Sequence, residues 1–365
     1  MDGTVKRVRV KTSGGSYDVV VGPGALRHAP EMRDLLGRDV CAMIVNETVQ
    51  GLHGAYIRSC FEGLGEFRTH IMPDGEEYKS FPQAERAFDW MLASGISRRS
   101  TVVGIGGGVT GDFSGFLAAL FMRGIPIIHV PTTLLAMVDS SVGGKVAVNI
   151  SAGKNIIGAF HQPALVVADI DFLGTLPDNE LRNGLAEALK HAFIGENALF
   201  ELFEKGDFDS IRKAESLMEI VYRSALFKSS VVERDEREGG LRAILNFGHT
   251  VGHAVESLLE YRGISHGQAV ALGMAAELEI SVRAGLLDRA HARRCTELLE
   301  RYGLRIRRAG LDVDGLMAHM KYDKKTSLGR ARFALLSGPG KPVYDREVLD
   351  DVVRAVLADT IVTGG

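Results

Sequence analysis

The hydrophobic pattern of this chain changes once, near residue 170, and this change constrains the fold more than any other feature. Before it, short apolar runs at 40–45, 101–105, 125–130 and 165–168 alternate with helical patterns. Strands that alternate with helices indicate an α/β domain with a mostly parallel sheet. After Asp171 the apolar residues recur at helical spacing over long segments. We therefore predict a Rossmann-like α/β domain over 1–170 and an all-helical domain over 171–365.

Local signals place several elements within these domains. Apolar residues alternate with polar ones on both sides of Ser13-Gly14-Gly15, which predicts a hairpin near the N-terminus. Ser80 is a candidate cap for a helix that runs to Leu92, with Pro82 in its first turn. In the second half, helical spacing predicts helices at 178–194, 210–233, 249–261, 267–285, 288–302 and 346–358.

Composition excludes several classes of protein. Lys and Arg total 43 and Asp and Glu total 46, a net charge of −3, whereas a dedicated nucleic-acid binder needs a basic excess. Cys41, Cys60 and Cys295 lie too far apart for a zinc box or a disulfide framework, which favours a reduced compartment. The N-terminus lacks an apolar signal core, and no run approaches the roughly 20 apolar residues of a membrane span. We therefore expect a soluble cytoplasmic protein that binds neither nucleic acid nor membrane.

A glycine-rich segment at 104–112 follows a predicted strand and opens a helical pattern. Gly106, Gly108 and Gly111 satisfy G-x-G-x-x-G, in which bare backbone and a helix N-terminus can hold a pyrophosphate. A tight strand-to-helix turn is the plainer interpretation. No Asp or Glu occurs between Asp112 and Asp139, so the usual ribose-binding acid is missing. A dinucleotide would therefore be bound differently from that in a standard Rossmann domain.

A second polar group covers 139–145, Asn149 and 153–155, where lysines and asparagines lie among glycines. Lysine charge and accessible backbone N–H groups suit an anion site, although a solvated loop has the same composition. Other cations are scattered along the chain. If they converge with Lys145 and Lys154, the ligand carries more than one negative charge. These scattered cations are Arg123, Lys190, Lys228, Arg242, Lys324 and Lys325.

Histidines and one glutamate form a candidate metal site. His249 and His253 share a helix face at i, i+4, and His266 follows a short loop. Glu187 lies on the predicted helix 178–194, beside Lys190 and His191. Glutamate with two or three histidines suits a divalent ion such as zinc with an open position for substrate. Spacing favours His249 with His253 and also allows Glu187 with His191, so the ligand set stays open.

Taken together, these residues resemble the 3-dehydroquinate synthase family. The matching stretches run in the family's order and span most of residues 74–340. They are GGGVTGDFSGFLAALFMRGIP (106–126), VPTTLLAMVDSSVGGKVAVN (130–149), GKNIIGAFHQP (153–163), GLAEALKH (184–191), LRAILNFGHTVGHAVE (241–256), HGQAVALGM (266–274) and MKYDKK (320–325).

The resemblance implies an N-terminal domain that holds NAD, a helical domain that holds zinc or cobalt, and an active site between them. It implies a homodimer in which Arg123 reaches the partner's site. It assigns the metal to Glu187, His249 and His266, and His253 then contacts the substrate phosphate. The implied NAD contacts are Asp74, Gly75, Glu76, Lys79, Gly107, Gly108, Val109, Thr110, Gly111, Asp112, Thr132, Thr133, Asp139, Lys145, Lys154, Phe172 and Thr175.

The substrate contacts are also implied by the resemblance. They are Arg123, Lys145, Asn155, Lys190, Lys228, Arg242, Asn246, His253, Lys324 and Lys325, and the division of roles between the last two stays open. Five of them are expected to be catalytic, namely Lys145, Lys190, Arg242, Asn246 and His253.

The activity implied is conversion of 3-deoxy-D-arabino-heptulosonate 7-phosphate to 3-dehydroquinate and phosphate. This is a step of the shikimate pathway to chorismate and the aromatic amino acids. The family's scheme is transient oxidation by NAD, elimination of phosphate, re-reduction and intramolecular aldol closure, with no net redox change. The substrate's carboxylate and phosphate would account for the surplus of cations.

Two departures and three alternatives accompany this resemblance. Val146 stands where the family usually has Thr, and Gln268 where Glu is usual. If residue 268 supports His266, the change to Gln removes a charge and could alter metal affinity. The alternatives are another sugar-phosphate cyclase, of the aminodehydroquinate or 2-deoxy-scyllo-inosose synthase type, a metal-dependent NAD polyol dehydrogenase, and a non-catalytic binding module. Asn246 and Gly143-Gly144-Lys145 look more like dehydroquinate synthase.

Overall fold

Two compact units make up the chain. The computed structural model describes residues 5–36, 39–151, 153–322 and 331–363. The first unit comprises Met1–Leu181 and Ala214–Glu233, and the second comprises Arg182–Lys213 and Arg234–Gly365. The domain boundary near residue 170 stays a prediction. None of the described helices is long and apolar enough to cross a membrane.

The described strands form one large sheet and three two-stranded pairs. The large sheet has the order β1-β2-β9-β6-β5-β3-β4, and only β1 and β2 are antiparallel among its neighbours. The predicted mostly parallel α/β fold is therefore confirmed. The strands are β1 Lys6–Thr12, β2 Gly15–Gly22, β3 Cys41–Asn46, β4 Phe67–Met72, β5 Val102–Gly106, β6 Ile127–Pro131, β7 Lys145–Ile150, β8 Gly153–Phe160, β9 Leu165–Asp169, β10 Arg308–Ala309, β11 Arg332–Leu336, β12 Pro342–Glu347 and β13 Val362–Thr363.

Helices dominate the second half of the chain, as the sequence predicts. The helix predicted over 178–194 has those bounds, and the other predicted helices agree to within several residues. The helices are α1 Glu31–Leu36, α2 Glu47–Phe61, α3 Phe81–Ala93, α4 Gly108–Leu120, α5 Asp178–Ile194, α6 Asn197–Lys205, α7 Phe208–Ile211, α8 Ala214–Arg234, α9 His249–Leu258, α10 His266–Arg283, α11 Arg289–Arg301, α12 Val313–Tyr322 and α13 Asp350–Val356.

The central strands of the sheet are apolar along their whole length because both faces are covered. Every residue of β5, β6 and β9 is buried, as expected for parallel strands between helical layers. Ile44, Val102 and Ile127 pack with Phe113 and Phe116 of α4 in one cluster. Complete burial of each such side chain stabilises the fold by about 1.5–3 kcal/mol.

The strand order reverses direction beside β3. From β3 the chain moves to β4 on one side, and then crosses to β5 on the other, followed by β6 and β9. Such a reversal opens a crevice at the carboxyl ends of the two strands that flank it, where open α/β sheets bind ligands. These ends are Asn46 of β3 and Gly106 of β5. The glycine-rich segment therefore lies at the switch point, although it is not in the first strand-helix-strand unit of the chain.

The polar stretch after residue 139 is partly a hairpin rather than a loop. β7 and β8 pair antiparallel, and Val146 of β7 is buried against α4. A Cβ at Gly115 of α4 would lie 2.3 Å from Val146 Cγ1. The departure from Thr at position 146 therefore falls at a packing contact between the hairpin and α4.

The second unit has a helical core with small β pairs that the sequence does not predict. Val251, Leu272, Leu316, Phe333 and Val353 pack in one buried cluster drawn from α9, α10, α12, α13 and β11. β11 pairs with β12 antiparallel and β10 with β13 in parallel. Among the helix starts, Ser265 and Asp288 accept backbone N–H bonds and cap α10 and α11. Ser80 precedes α3 but makes no side-chain cap to the described residues.

Candidate functional site

Most of the residues expected to bind NAD follow strands of the large sheet. Asp74, Gly75 and Glu76 come after β4, Gly107 to Asp112 after β5, and Thr132 and Thr133 after β6. Phe172 and Thr175 lie in a 3₁₀ turn after β9. Because parallel strands share one carboxyl edge, these segments line the same edge of the sheet.

A buried lysine joins three of these segments. Lys79 is 3% exposed, and its Nζ donates to Asp112 Oδ2 at 2.5 Å and to Asn155 Oδ1 at 2.6 Å. The Asn149 amide donates to Glu76 Oε1 at 2.8 Å, and Asn149 Oδ1 accepts from Asn155 N. Burial raises the pKa of Asp112, and the charge of Lys79 opposes this rise. Helix α4, the 74–79 segment and the β7–β8 hairpin are thus fixed to one another.

Sequence reasoning missed the residues of β3 and α2 that contact this edge. Asn46 and Thr48 donate to the two carboxylate oxygens of Asp74, at 2.6 Å and 2.5 Å. His53 Nε2 lies 2.7 Å from Thr175 Oγ1, and its ring packs edge-on against Phe172. Asn46 directly follows an apolar run, which could have marked it as a candidate. Only the strand order shows that it lies at the edge where the chain reverses direction.

The first turn of α4 suits a phosphate group. Gly107 precedes the helix, and no described side chain caps the N–H groups of that turn, which carry the positive end of the helix dipole. The Thr132 hydroxyl is buried and has no hydrogen-bond partner among the described residues. A Cβ at Gly107 would lie 3.1 Å from Thr133 Cγ2. Unpaired donors and bare backbone at the switch point fit a nucleotide pyrophosphate.

In the second unit, one carboxylate and two imidazoles converge. Glu187 projects from α5, and His249 and His266 are the first residues of α9 and α10. Glu187 Oε1 lies 3.5 Å from His249 Nε2 and 3.4 Å from His266 Nε2. One donor atom from each of the three lies within 4.8 Å of the others. A carboxylate and two imidazole nitrogens are a donor set that Zn²⁺ and similar ions accept.

Close helix packing brings these donors together. A Cβ at Gly273 of α10 would lie 1.8 Å from the carbonyl oxygen of Gly248, directly before α9. A Cβ at Gly267 would lie 2.3 Å from the carbonyl oxygen of Asn183 on α5. Both glycines therefore permit contacts that no other residue could make without moving the backbone.

Two side chains fix the residues next to the histidines. The buried carboxylate of Glu277 accepts from Gly248 N at 2.6 Å, beside His249. The Asn183 side chain accepts from Gly267 N at 2.5 Å, beside His266. These roles could not be predicted from the sequence, since both residues lie within ordinary helical patterns.

Charges within the group favour a carboxylate with a neutral His249. Burial would raise the pKa of Glu187, but Lys190, in ion-pair contact with it, and the two histidines hold that pKa well below its usual range. Burial and the charge of Lys190 lower the pKa of His249 well below its usual value. Burial also lowers the pKa of His266, but Glu187 and Glu256 outweigh it and raise the pKa to about 10. Without a metal, the proton therefore stays on His266.

The histidine spacing pointed to a different pair. His253 lies one turn after His249, with ring centroids 5.2 Å apart, but it is exposed and is not a member of the converging group. His266 takes that place from the adjacent helix. Glu187 and His191, the pair that spacing also allowed, do have donor atoms within 4.8 Å of each other. Helical spacing thus identifies residues on one face, whereas the approach of a second helix brings in His266.

The residues expected to bind substrate are placed in both units. Asn246, His249 and His253 line a cleft of about 500 Å³ in the second unit. Arg242 is 3% exposed and its guanidinium donates to Glu236 O at 2.7 Å. Lys190 contacts Glu187. The Asn246 amide donates to Glu238 Oε1 at 3.2 Å.

In the first unit, Lys228 of α8 donates to the backbone and side-chain oxygens of Asp139 at 2.6 Å and 2.7 Å. Lys145 is the first residue of β7, and Lys154 and Asn155 are the second and third residues of β8. Arg123 is exposed in a 3₁₀ turn after α4. Lys324 and Lys325 lie outside the described residues.

Gln268 does not contact His266 through its side chain. Its amide nitrogen donates to Arg305 O, and its amide oxygen accepts from Arg305 N at 3.0 Å. A glutamate could not donate the first of these bonds. Gln268 therefore links the first turn of α10 to the backbone after α11.

Comparison with known proteins identifies the family. The model of the 3-dehydroquinate synthase N-terminal region matches residues 69–183, and that of the C-terminal region matches residues 184–326. The chain belongs to the 3-dehydroquinate synthase family. A 3-dehydroquinate synthase from Cereibacter sphaeroides is 41% identical over 98% of this chain and 99% of its own length. One from Nostoc punctiforme is 42% identical over 94% of this chain and 96% of its own length.

Solved structures agree with membership of the 3-dehydroquinate synthase family. A 2-deoxy-scyllo-inosose synthase complexed with carbaglucose-6-phosphate, NAD⁺ and Co²⁺ has a TM-score of 0.88 at 28% identity, covering 98% of this chain and 100% of that one. A 2-epi-5-epi-valiolone synthase from Streptomyces hygroscopicus with NAD⁺ and Zn²⁺ bound has a TM-score of 0.86 at 29% identity, covering 94% and 96%. An iron-containing alcohol dehydrogenase at 17% identity, covering 94% and 96%, has a TM-score of 0.67 and shares the fold.

Proposed function

We propose that this protein is a carbon-oxygen lyase that converts 3-deoxy-D-arabino-heptulosonate 7-phosphate to 3-dehydroquinate and phosphate. The observation that carries the proposal is the 41–42% identity to 3-dehydroquinate synthases across nearly the whole chain. The convergence of Glu187, His249 and His266 supports it, because this donor set occurs within the family's motifs. We expect the protein to act in the cytoplasm.

Two resident groups belong to this proposal. Glu187, His249 and His266 would hold Zn²⁺ or Co²⁺, and the crevice around Gly107 to Asp112 would hold NAD with the other expected residues. When bound, the metal would supply a Lewis acid for a substrate hydroxyl, and NAD would accept and return a hydride. The fit rests on the donor set for the metal and on the unpaired Thr132 hydroxyl and the first turn of α4 for NAD.

The chain's own side chains would mainly bind and orient a dianionic substrate. Arg242 and Lys228 are buried cations whose groups are already fixed by backbone oxygens, so they lose little freedom when an anion binds. Asn246 and His253 line the cleft beside His249 and can donate to phosphate or carboxylate oxygens. Lys190 holds Glu187 as a carboxylate, and Lys145, Lys154 and Asn155 would add donors from the β7–β8 hairpin.

We also propose a homodimer in which Arg123 enters the partner's site. Met122 and Arg123 have φ of 49° and 71°, a costly conformation for such residues that tends to occur at functional positions. Leu120 is 48% exposed, Met122 37% and Phe160 47%. Exposed large apolar side chains suit contact with a second copy.

The dimer proposal is tested by complementation. Arg123→Ala and Glu187→Gln chains, each inactive alone, are co-expressed with different tags and purified together. If Arg123 acts in the partner's site, each mixed dimer contains one intact site of two and should show about half of parental activity, whereas an unselected random mixture should show about a quarter. Absence of recovery in verified mixed dimers would mean that Arg123 acts within its own chain or not at all.

The reaction is tested with metal-loaded protein, NAD and the heptulosonate phosphate. Inorganic phosphate, 3-dehydroquinate and free NADH are followed together, with and without chelator. Equal amounts of phosphate and 3-dehydroquinate, loss of turnover with chelator and no build-up of NADH are expected. Steady NADH release would favour a polyol dehydrogenase instead.

A second candidate is another sugar-phosphate cyclase, favoured by the structural similarity to 2-deoxy-scyllo-inosose synthase. A hexose 6-phosphate serves as the alternative substrate in the same assay. Turnover of this sugar with no turnover of the heptulosonate phosphate would replace the proposed function with the second candidate.

A further inference from the structure

The imidazole of His266 lies between two carboxylates. Its Nε2 is 3.4 Å from Glu187 Oε1, and its Nδ1 is 3.4 Å from Glu256 Oε1. The Glu256 side chain is only 13% exposed. An acidic residue that served only to keep the surface soluble would be exposed, because burial of its charge carries a desolvation cost. The position of this carboxylate beside a ring nitrogen therefore indicates a specific role.

Helix geometry directs Glu256 toward the metal-donor group. Glu256 lies on α9 seven residues after His249 and three after His253, so the three residues share a helix face. Val251 and Val255 on the same helix are buried in the apolar core of the second unit. The polar face of α9 thus carries these side chains together, and His266 approaches it from the start of α10, with ring centroids 5.4 Å from His249 and 6.3 Å from His253.

We propose that Glu256 is a positioning residue for the metal ligand His266. This inference rests on the metal site of the proposed function. If Glu256 accepts the Nδ1–H of His266, the lone pair of the neutral imidazole is on Nε2, the nitrogen that faces Glu187. Glu256 thereby selects the tautomer and fixes the ring plane.

The second histidine of the group is held in the same way by a weaker partner. His249 Nδ1 lies 3.2 Å from the carbonyl oxygen of Phe247, and its Nε2 faces Glu187. Both ligand rings are thus oriented through Nδ1, one by a neutral carbonyl and the other by a carboxylate. A carboxylate makes the stronger hydrogen bond and raises the basicity of the ligand nitrogen more. Loss of the Glu256 charge is therefore expected to weaken the metal site specifically.

Metal affinity of the full-length chain tests this role. Metal-free parent, Glu256→Gln and Glu260→Gln are titrated with Zn²⁺ and with Co²⁺ against a competing chelator of known affinity at fixed pH. Glu260 is exposed just beyond α9 and provides a control that loses the same charge. Glu256→Gln is expected to weaken both metals roughly 10–100-fold and to shift the visible absorption of bound Co²⁺, whereas Glu260→Gln stays near parent. Affinity of Glu256→Gln within about twofold of parent, with an unchanged Co²⁺ spectrum, would overturn the inference.

Two further measurements distinguish positioning from general stability. A merely structural Glu256 predicts a lower Tm of the metal-free protein with unchanged metal affinity, which would also overturn the role. If Glu256→Gln does not fold, Glu256→Asp, which keeps the charge on a shorter side chain, is used instead. It is expected to show a smaller loss of metal affinity. Unchanged affinity in Glu256→Asp would count against the inference. The variant Glu187→Gln distinguishes failure of the proposed metal site from failure of the role proposed for Glu256. Loss of metal there with retention in Glu256→Gln rejects only the present inference, and failure of the parent to bind metal rejects the proposed site and the inference together.

Discussion

The two candidate sites are built on different principles. The crevice of the first unit is formed by segments that follow parallel strands, and backbone N–H groups and loop side chains supply its polar groups. The donor group of the second unit is formed by side chains on three helices, and glycine contacts set their spacing. A sheet edge collects residues chiefly by strand order, whereas a helix group depends on how closely the helices approach one another. A Cβ at Gly273 would lie 1.8 Å from a backbone oxygen, whereas one at Gly106 in the crevice would lie 2.6 Å from the Thr110 side chain. The second site should therefore be the more sensitive of the two to a single methyl group.

The sharpest test of this difference is a glycine-to-alanine pair. In Gly273→Ala the added Cβ would lie 1.8 Å from the Gly248 carbonyl oxygen, so α9 and α10 must separate. We expect loss of more than about 3 kcal/mol of unfolding free energy, or failure to fold, with loss of metal binding. Gly51→Ala is the control, since Gly51 is in α2 and a Cβ there meets nothing within 4 Å. It should be neutral or stabilise by up to about 1 kcal/mol in urea unfolding.

The next largest effect is expected when one metal-donor side chain is removed. Glu187→Gln removes the carboxylate from the metal group and leaves Lys190, 1% exposed, without its ion-pair partner. Loss of Lewis-acid assistance worth several kcal/mol predicts a fall in turnover of about 100-fold or more, with loss of bound metal. Metal content and turnover are measured together. Glu201→Gln, at an exposed position on α6, should match the parent in both, and retention of metal by Glu187→Gln would remove Glu187 from the ligand set.

The sequence predicted the sheet site more completely than the helix site, for the same physical reason. Apolar runs located β3, β5, β6 and β9 to within two residues, and any residue directly after such a strand is a candidate for the ligand edge. The reversal of strand order beside β3 could not be predicted, because a run of apolar residues does not specify its neighbours. The contribution of Asn46 was therefore missed.

In the helical unit, periodicity gave the helices but not their contacts. It placed His249 and His253 on one face and suggested them as a pair, whereas His266 arrives from the neighbouring helix. Gly267 and Gly273 appear in the sequence as ordinary helix glycines, and only the packed structure shows what each would touch. Family resemblance supplied a candidate ligand set where spacing left alternatives open. It did not supply Glu256, Asn183 or Glu277, whose roles depend on side-chain contacts.

A buried charge tests the crevice of the first unit. Lys79→Met removes the cation that contacts Asp112 and Asn155. Because the Asp112 carboxylate, which is only 20% exposed, is left without its cation, we expect a loss of about 3 kcal/mol of unfolding free energy and weaker NAD binding by calorimetry. Lys205→Met removes a cation from an exposed ion pair and should cost less than about 1 kcal/mol. Equal effects of the two variants would mean that the Lys79 network does not stabilise this edge.

The acid sensitivity of the first unit should come partly from one histidine. Burial, with a smaller contribution from the charge of His161, lowers the pKa of His129 to about 4. Its pKa in the unfolded chain is about 6.5, so the unfolded state binds the proton first as the pH falls. The stability that depends on neutral His129 is complete above pH 6.5 and is lost progressively toward pH 4, by about 2–3 kcal/mol.

This prediction is checked by urea unfolding at pH 7.5 and pH 4.5. The difference in unfolding free energy between the two pH values should shrink in His129→Leu. It should stay at the parental value in His28→Asn, because His28 is exposed. An unchanged difference in His129→Leu would assign the acid sensitivity to other groups.

The smallest effect is expected at the family departure in α10. Gln268 pairs with both backbone groups of Arg305, and Gln268→Glu loses the donor and brings a charged oxygen toward the Arg305 carbonyl. The expected cost is about 1–2 kcal/mol of unfolding free energy, measured by urea unfolding, with Zn²⁺ affinity within about threefold of parent because Glu256, rather than residue 268, contacts His266. A large gain in Zn²⁺ affinity on restoring the usual Glu would show that charge at position 268 acts on the metal group through His266. In that case the donor group would be tuned from the first turn of α10 as well as from α9.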